Sequence, residues 1–417
     1  MSQYKHGVYT KEMPTSIVPP RIVATNTVFA VGTAPVHELD EGKKRYVNEP
    51  RMYNSYDEFV EEMGYSDDWI NYTLCELAEC HFSKFGAAPI VCVNVFDPEK
   101  HKTNDEPDAS KVTTADIIGG IDENTLEPTG LECIDLVFTK FGLVPFAIVA
   151  PKFSTDIAVA QTMAAKSQKI LGLFTAMAYA DIDTKKCRKY ADISEYKQNN
   201  GLNLAGLTLC WPKVALGDKV YHLSTQLVGR ISAEDDAAGG TPQVSPSNKT
   251  GYFDRSITVI DGVEKEVWLT LENANYLNSQ GVVTTLNFDG GWRIWGNRTA
   301  VYPGITDPKD SYLCCRRFFN WYMARFILTY FQKVDAPMTK RLIKTIVGSA
   351  QLDLDGFTSR EVILGGRISF LEDENPVTDL LNGLLRFHIY IMPPIPAESI
   401  EGTFELDPEY LKELFSA

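Results

Sequence analysis

The sequence predicts an α/β protein, α+β when the whole chain is counted, that contains a mainly parallel sheet. Segments of β-branched and other apolar residues alternate with amphipathic helical patterns along the first half of the chain. Pro89–Phe96 is apolar almost throughout, which is typical of a strand buried on both faces of a sheet. The spacing between these segments suits right-handed strand–helix–strand crossovers, which produce parallel sheets.

The N-terminal half of the chain supplies most of the predicted sheet. Ile22–Val31 is rich in β-branched residues and is followed by a Gly-Thr-Ala-Pro turn. Asp67–Lys84 has apolar residues at three- and four-residue steps and is predicted to be one helix that begins near Asp68. The same patterns predict helices at Gly130–Phe141 and Asp156–Leu171, and strands at Val144–Ala150, Gly172–Ala180 and Thr208–Trp211.

The second half is predicted to begin with a linker and to end with helices and a strand. Ile231–Gly251 is rich in Asp, Gly, Ser and Pro and is predicted to be a long loop. The dipeptide Asp261-Gly262 predicts a tight hairpin between Thr258–Ile260 and Val267–Leu271. Further elements are predicted as helices at Asp310–Gln332 and Met338–Ser349 and a strand at Leu385–Ile391.

Composition and charge exclude several function classes. The longest apolar runs, Phe141–Pro151 and Phe318–Phe331, have 11 and 14 residues, whereas a membrane helix needs about 20. The N-terminus lacks the apolar core of a signal peptide, so we expect a soluble protein that stays in the cytoplasm. The formal net charge of −15 disfavours nucleic acid as a direct partner, because phosphate binding requires a positive surface.

No catalytic, metal or cofactor site is predicted. The sequence contains no phosphate-binding loop, no dinucleotide-binding glycine motif and neither the H-E-x-x-H nor the G-x-S-x-G motif. His81 is interpreted as a packed histidine, and Glu234-Asp235-Asp236 and Asp353-x-Asp355 as solvated loops rather than calcium sites. The eight cysteines lack zinc-site spacing, and we expect reduced, mostly buried thiols.

The strongest charge feature is a cationic stretch between Lys309 and Thr345. It contains eight bases and two acids, a local charge of +6, so the rest of the chain carries −21. Such a stretch serves a negatively charged partner surface or is an ordinary solvated helix face, and both interpretations stay open at this point.

Both ends of the chain have the pattern of short strands without a partner nearby in the sequence. Gly7–Glu12 and Ser399–Leu406 have this pattern, and the proline-rich segments Pro14–Pro20 and Pro393–Pro396 separate them from the rest. A lone strand is stable only when it joins a sheet. The ends are therefore either strands that add to the sheet of another subunit or ordinary frayed termini.

A series of individually weak motifs runs along nearly the whole chain in a specific order. The sharpest are Trp295-Gly-Asn-Arg-Thr299 and Arg316-Arg-Phe-Phe-Asn320. The others are Gly7–Glu12, Ile22–Pro35, Lys84–Val95, Asp116–Asp122, Pro145–Pro151, Val228–Gly239 and Ser245–Lys249. In this order the chain resembles the contractile tail sheath proteins, which build the tails of myophage-type viruses, R-type bacteriocins and related injection systems.

The resemblance implies a structural subunit and not an enzyme. Sheath subunits form six-fold rings that stack as a helix around an inner tube, and they contract to drive the tube through a target cell envelope. For this chain the resemblance implies an N-terminal arm (1–21), an outer α/β domain (22–298), an inner tube-facing domain (299–396), which the N-terminal segment helps to form, and a C-terminal arm (397–417). The two arms are expected to exchange strands with neighbouring subunits.

The resemblance also implies two groups of candidate residues. The subunit-linking arm candidates are Val8, Tyr9, Thr10, Ile400, Thr403, Phe404 and Leu406. The tube-contact candidates are bases of the two predicted C-terminal helices, namely Arg316, Arg317, Arg325, Lys340, Arg341 and Lys344.

The implied partners are further copies of the chain in hexameric rings, the inner tail tube protein, and baseplate and tail-terminator proteins. No cofactor, direct nucleic-acid contact or membrane insertion is expected. The implied location is the tail of a virion or contractile particle, assembled in the cytoplasm of a bacterial host. The alternative function is an enzyme built on the α/β domain, with a small-molecule or nucleotide site at the carboxyl-end edge of the sheet.

Overall fold

The structure, a computed structural model, describes residues 18–87, 89–123 and 125–415. The strands of this part of the chain are β1 (Val28–Gly32), β2 (Arg51–Tyr53), β3 (Ile90–Asn94), β4 (Lys102–Thr103), β5 (Glu106–Pro107), β6 (Ala147–Val149), β7 (Met177–Asp181), β8 (Leu207–Cys210), β9 (Lys213–Leu216), β10 (Lys219–Tyr221), β11 (Lys249–Thr250), β12 (Arg255–Ile260), β13 (Val263–Glu266), β14 (Val282–Phe288), β15 (Gly291–Trp295), β16 (Gly365–Ser369) and β17 (His388–Met392). Its α-helices are α1 (Tyr56–Met63), α2 (Thr73–Ala78), α3 (Thr114–Ile118), α4 (Ile134–Phe141), α5 (Ile157–Gln168), α6 (Ile193–Asn199), α7 (Leu223–Ala237), α8 (Leu271–Ser279), α9 (Pro308–Ser311), α10 (Leu313–Tyr330), α11 (Lys340–Ser359) and α12 (Val377–Leu381).

The main sheet has nine strands in the order β11-β15-β14-β8-β7-β6-β1-β3-β2. The pairs from β14 to β3 are all parallel. At the edges, β2 pairs antiparallel on one side, and β15 and β11 on the other. Strands β1, β3 and β7 are buried along their whole length, and both α5 and α7 pack on β7. The predicted fold class, α/β with a mainly parallel sheet, is therefore confirmed.

A second, antiparallel sheet of four strands contains the predicted hairpin. Its order is β10-β9-β12-β13. The turn between β12 and β13 is formed by Asp261 and Gly262, with positive φ angles of 52° and 79°. The second strand is Val263–Glu266 and not Val267–Leu271, because a two-residue turn brings the chain at once into register with β12. The hairpin prediction is thus right in position and wrong in the extent of its second strand.

The helix predicted over Asp67–Lys84 begins later and changes character. Asp68 accepts hydrogen bonds from Asn71 and forms a separate turn. The helix α2 begins at Thr73, whose N–H donates to Oγ1 of Thr33, beyond the end of β1, at 3.1 Å. From Glu79 to Lys84 the helix continues as a π-helical turn. The group that caps the helix lies 40 positions earlier in the chain, so the local pattern did not reveal where the helix starts.

The long loop predicted over Ile231–Gly251 is wrong for its first part. The helix α7 continues to Ala237. Asp235 on this helix is completely buried, and Arg317 of α10 compensates its charge by forming an ion pair. A polar composition favoured a loop, since the sequence does not show that a distant arginine compensates the charge. The interpretation of Glu234-Asp235-Asp236 as a solvated loop is corrected for the same reason.

Helices α10 and α11 contact the first described residues of the chain. The N–H of Val18 donates to Oγ of Ser349 at 3.0 Å, and Nε1–H of Trp321 donates to the carbonyl oxygen of Val23 at 3.1 Å. The C-terminal helices therefore hold the N-terminal segment where it enters the body of the subunit.

The helix α11 is longer than predicted, ending at Ser359 rather than Ser349. Asp353, which was assigned to a solvated loop, lies within this helix and forms an ion pair with Arg325 of α10. The interpretation of Asp353-x-Asp355 as a loop is therefore wrong. The predicted strand near the C-terminus is confirmed as β17, which pairs antiparallel with β16.

Candidate assembly site

The C-terminal segment, residues 399–406, leaves the subunit with its apolar side chains exposed. Ile400, Phe404 and Leu406 are 89%, 97% and 87% exposed. The segment forms neither helix nor strand. No hydrogen bond or ion pair joins it to any other residue that the structure describes. In extended backbone these three side chains share one face, so the segment has the pattern of a strand but no partner strand in its own subunit.

The two-stranded sheet of β16 and β17 has one closed and one open edge. Nε2–H of Gln351, on α11, donates to the carbonyl oxygen of Gly366 at 3.1 Å, and its Oε1 accepts from the N–H of Ile368 at 3.2 Å. These bonds cap the outer edge of β16. Gly366 and Ile368 lie opposite Ile391 and Ile389, so the backbone groups of these two isoleucines point to the far edge of β17. Nothing in the described part of the chain bonds to them there.

A groove of about 390 Å³ lies over this small sheet. Leu364, Gly366, Ile391 and Met392 line it, and the side chains of Leu364 and Met392 are exposed. Two-stranded sheets are only marginally stable by themselves. The sheet therefore offers an unpaired backbone edge together with an uncovered apolar surface.

The C-terminal segment is tied to the body at its base by Glu398. Nε–H of Arg298 donates to Oε1 of Glu398 at 2.9 Å, and Nη2–H donates to Oε2. The hydroxyl of Tyr312 also donates to Oε2 of Glu398, at 3.1 Å. Arg298 belongs to the tryptophan-containing motif of the sequence and bridges to Tyr312 directly before α10. The sequence motif includes Arg298, but sequence reasoning did not connect it with Glu398, because nothing local links positions 298 and 398.

Three of the six predicted tube-contact residues are used inside the subunit. Arg317 is 5% exposed and pairs with Asp235. Arg325 binds both carboxylate oxygens of Asp353, at 2.9 and 2.7 Å. Arg316 donates to Asp310 and Asn320 at 2.9 and 3.0 Å. The arginines of α10 therefore stabilise the subunit, and Arg317 in particular is not available to an external partner.

The other three, Lys340, Arg341 and Lys344, are exposed on the first turns of α11. Thr339 caps this helix by accepting from the N–H of Leu342 at 3.1 Å. No ion pair involves these three bases among the described residues. A helix N-terminus carries partial positive charge and favours acidic side chains, so three bases there reduce helix stability. This arrangement has a local cost that an anionic partner can compensate.

The arm candidates at the N-terminus, Val8, Tyr9 and Thr10, lie outside the described residues. Their strand-forming role stays a prediction. Of the C-terminal candidates, Thr403 is exposed like the three apolar residues of the same segment.

At the carboxyl-end edge of the parallel sheet, where an α/β enzyme binds its ligand, the polar side chains of Asp181 and Asn94 take part in internal hydrogen bonds. Asp181 at the end of β7 accepts from N–H and Oγ–H of Ser224 at 3.0 and 2.5 Å, and burial raises the pKa of this carboxyl. Asn94 at the end of β3 accepts from the N–H groups of Ala34 and Phe96, both at 3.0 Å. Asp181 and Asn94 are therefore used within the subunit.

Buried titratable groups near this edge are also explained by packing. Burial disfavours the charged carboxylate of Glu76, but His222 within 2.8 Å keeps the pKa of Glu76 below its usual value. Burial lowers the pKa of His81 to about 3, and neither ring nitrogen has a hydrogen-bond partner among the described residues. The interpretation of His81 as a packed histidine is confirmed.

The cysteines and the possible metal ligands of the described chain do not form a metal site. All eight cysteines are free and buried, as predicted, and burial raises the thiol pKa of Cys75, Cys133 and Cys187 to about 12. The described residues include no group of three or more His, Cys, Asp or Glu side chains suited to a metal ion. Among these residues, none of the helices combines the length and apolar character needed to cross a bilayer.

No protein-family model matches the chain. Among curated proteins, the tail sheath protein of Burkholderia phage BcepMu is 24% identical over 502 aligned positions, which cover 99% of this chain and 99% of that protein. The tail sheath protein of Escherichia phage P2 is 23% identical and covers 100% of this chain and 99% of its own length. Both similarities span the terminal segments as well as the α/β core.

Solved structures show the same fold. The sheath complex of an extracellular contractile injection system, PVC, in its contracted state matches with a TM-score of 0.66 at 15% identity, covering 98% of this chain and 99% of that one. The helical sheath of the anti-feeding prophage in its contracted state matches with a TM-score of 0.64 at 16% identity, covering 97% and 100%. No support for an enzyme comes from these relatives. The resemblance predicted from the sequence is confirmed: over nearly its whole length the chain is similar to contractile tail sheath proteins.

Proposed function

We propose that copies of this chain assemble as stacked six-fold rings around an inner tube, and that they contract to drive the tube through a target envelope. The observation that carries the proposal is that one subunit contains both a strand-like segment and a sheet edge, and each of them lacks a partner strand. Residues 399–406 form a strand-like segment with one apolar face that joins no sheet in its own subunit. The outer edge of β17 has no neighbouring strand among the described residues. Each feature supplies what the other needs, so a second copy of the chain is the natural partner.

The C-terminal segment of one copy adds to β17 of a second copy. Its backbone pairs with the free N–H and C=O groups of Ile389 and Ile391. The side chains of Ile400 and Phe404 then cover the groove beside Leu364. Burying an apolar side chain of this size contributes about 1.5–3 kcal/mol, so a few such residues suffice to hold neighbouring subunits together.

The predicted N-terminal strand, Gly7–Glu12, joins a neighbouring sheet in the same way. The body holds residues 18 and 21 through Ser349 and Thr329. Pro14 lies between the predicted strand and these contacts, and the prolines at 14, 19 and 20 disfavour a helix in this stretch.

The tube-facing surface is the start of α11, with Lys340, Arg341 and Lys344. These bases are exposed and free of ion pairs within the described chain, and the chain as a whole is acidic. An anionic inner tube would attract this local cationic surface while the rest of the subunit is repelled. Exposed ion pairs contribute only about 0.2–1 kcal/mol each, so contacts of this kind hold many subunits collectively and still release them in sequence.

Contraction in this proposal moves the subunit nearly as a rigid body. The central strands of the main sheet are completely buried, which makes that sheet the least deformable part of the subunit. Conformational change within the subunit is therefore confined to the arms. Larger contacts between outer domains drive contraction as the subunits rotate outward. No nucleotide is consumed, because the energy is stored during assembly.

The remaining proposed partners are the baseplate and tail-terminator proteins at the two ends of the sheath. The proposed location is the tail of a virion or contractile particle, assembled in the cytoplasm of the bacterial host. Among the structural relatives, the anti-feeding prophage structures include a baseplate, which supports an assembly of this kind.

The test is polymer formation by the purified chain. Negative-stain electron microscopy should show long hollow tubes for the full chain and only discrete particles after deletion of residues 399–417. Phe404→Asp should act like the deletion, whereas Glu405→Asp, on the opposite face of the extended segment, should form tubes normally. Both side chains are exposed, so urea unfolding should give the same stability for all variants. Normal tubes from the deletion variant would contradict the proposal.

A further inference from the structure

The contact between Arg298 and Glu398, here called the arm anchor, marks the point where the C-terminal segment leaves the subunit. Pro393 is still buried, whereas every residue from 399 to 411 is exposed. Glu398 has hydrogen bonds to Arg298 and Tyr312, and its side chain is partly exposed. Between these two parts exposure varies, and Glu398 is the last residue before 399–406 that has a hydrogen bond to the body of the subunit.

Arg298 is held in position before it meets Glu398. Its guanidinium lies over the ring of Tyr312 at 3.7 Å and over that of Tyr302 at 4.4 Å. Nη1–H also donates to Oγ of Ser311 at 3.0 Å. Two aromatic contacts and a hydrogen bond fix the planar group, so it presents its remaining N–H groups to Glu398 in one orientation. A bidentate pair then fixes the direction of the chain at Glu398 as well as its position.

We propose that Arg298 and Glu398 are positioning residues that set the direction in which the C-terminal segment leaves the subunit, so that it meets the β17 edge of a second copy. This inference rests on the proposed assembly. A segment held at its base has fewer conformations to lose when it pairs, which raises its affinity for the neighbouring sheet. The anchor attaches the segment beside the start of α10 and not to the sheet from which β17 comes.

A substitution of Glu398 tests this positioning role without affecting the folding of the subunit. Its carboxylate is at the surface, and its removal uncovers no core residue. Arg298 keeps its contacts to Ser311 and both tyrosines when Glu398 is shortened. Glu401→Ala is the matched control, because it removes an exposed carboxylate of the same segment that has no described contact.

The experiment uses the full chain with Thr403→Cys, labelled with a fluorophore. The eight native cysteines are buried, so the label goes to the introduced thiol. Below the concentration at which tubes form, Glu398→Ala should lower the fluorescence anisotropy of the label, and Glu401→Ala should leave it unchanged. The concentration at which tubes first appear should rise about tenfold with Glu398→Ala only, which corresponds to 1.4 kcal/mol.

The outcomes separate the arm anchor from the assembly itself. Equal anisotropy in Glu398→Ala and the parent protein overturns the anchor. Lower anisotropy with an unchanged onset of tube formation overturns its role in assembly. If the parent protein forms no tubes at any concentration, the proposed function fails, and the anisotropy comparison still decides whether Glu398 fixes the segment.

Discussion

Arg317 of α10 and Asp235 of α7 form an ion pair in the interior of the subunit. Their side chains are 5% and 0% exposed, and Nη1–H of Arg317 donates to Oδ1 of Asp235 at 3.2 Å. Burial raises the pKa of Asp235 to about 6 although the guanidinium opposes that rise, so both groups are charged at neutral pH. The pair connects the C-terminal helices to a helix that packs on the main sheet.

Replacing Arg317 alone should destabilise the subunit strongly. Arg317→Met leaves the carboxylate of Asp235 buried and unpaired, and we expect a loss of about 3–5 kcal/mol in the free energy of unfolding, measured with urea. The double variant Arg317→Met/Asp235→Leu should recover most of that loss, since no buried charge remains. Arg316→Met, which breaks a more exposed pair with Asp310, should cost about 1 kcal/mol or less. Similar losses for Arg316→Met and Arg317→Met would contradict this assignment.

Reversing the charge at the start of α11 should separate helix stability from tube binding. In the triple variant Lys340→Glu/Arg341→Glu/Lys344→Glu, the acids interact favourably with the helix dipole, so thermal stability should stay equal or rise. Co-assembly with an anionic tube protein should be lost, whereas sheath polymers without a tube should still form.

The matched control reverses three other exposed bases, Lys185, Lys186 and Lys189, and changes the net charge by the same amount. It should retain co-assembly with the tube protein, as judged by sedimentation of the complex at low and high salt. Loss of co-assembly in both triple variants would show that net charge, and not the start of α11, is responsible.

A proline at the outward-facing position Ile391 of β17 should block pairing with a neighbour while leaving the hydrogen bonds between β16 and β17 intact. The N–H of Ile391 points to the open edge, so Ile391→Pro removes a group that has no partner inside the described subunit. Because the half-buried side chain of Ile391 also packs against the core, we expect a loss of about 1–3 kcal/mol in the free energy of unfolding, a folded subunit, and no tubes in electron micrographs. Tyr390→Pro, whose N–H faces Arg367 of β16, should instead destabilise the hairpin. Normal tubes from Ile391→Pro would exclude this edge as the acceptor.

His81 should make the subunit sensitive to acid. Its pKa is about 3 when folded, below its ordinary value of 6.5, because it is completely buried. Below pH 6.5 His81 takes up a proton in the unfolded chain but stays neutral in the folded chain. The free energy of unfolding therefore decreases as the pH falls from 6.5 towards 3. This group alone should cost about 2 kcal/mol between pH 7.5 and pH 5.

The matched measurement compares two pH values within each variant. In His81→Leu the difference in unfolding free energy between pH 7.5 and pH 5 should be smaller by about 2 kcal/mol than in the parent protein. This holds whatever the overall stability of the variant. An unchanged difference would show that His81 does not contribute to the acid sensitivity.

The sequence predicted the parts of the fold that local pattern determines. The buried strand within Pro89–Phe96 and the turn at Asp261-Gly262 follow from apolar runs and turn chemistry, and both are present. The start of α2 and the extent of α7 were missed, because Thr33 and Arg317, which stabilise them, lie far away in the chain. Buried polar pairs of this kind look like solvated loops in a sequence.

The candidate site could be predicted only in outline. Exposure of Phe404 follows from its alternating segment, whereas the closed edge of β16 depends on a single side chain, Gln351, that has no distinctive sequence pattern. The cationic stretch gave no way to distinguish Arg317, which is buried, from Lys340, which is exposed. Charge counts describe a region, but burial decides which members of that region can reach a partner.

The open edge of β17 and the C-terminal segment are different parts of the subunit surface, which has a consequence for the proposed particle. In the proposed assembly every copy donates at one place and accepts at another, so the repeat would be head-to-tail and polar. One rim of the proposed cylinder would then end in vacant edges and the other in unmatched segments. Proteins that close the two rims would have to recognise different surfaces, and growth could be stopped at one rim without affecting the other.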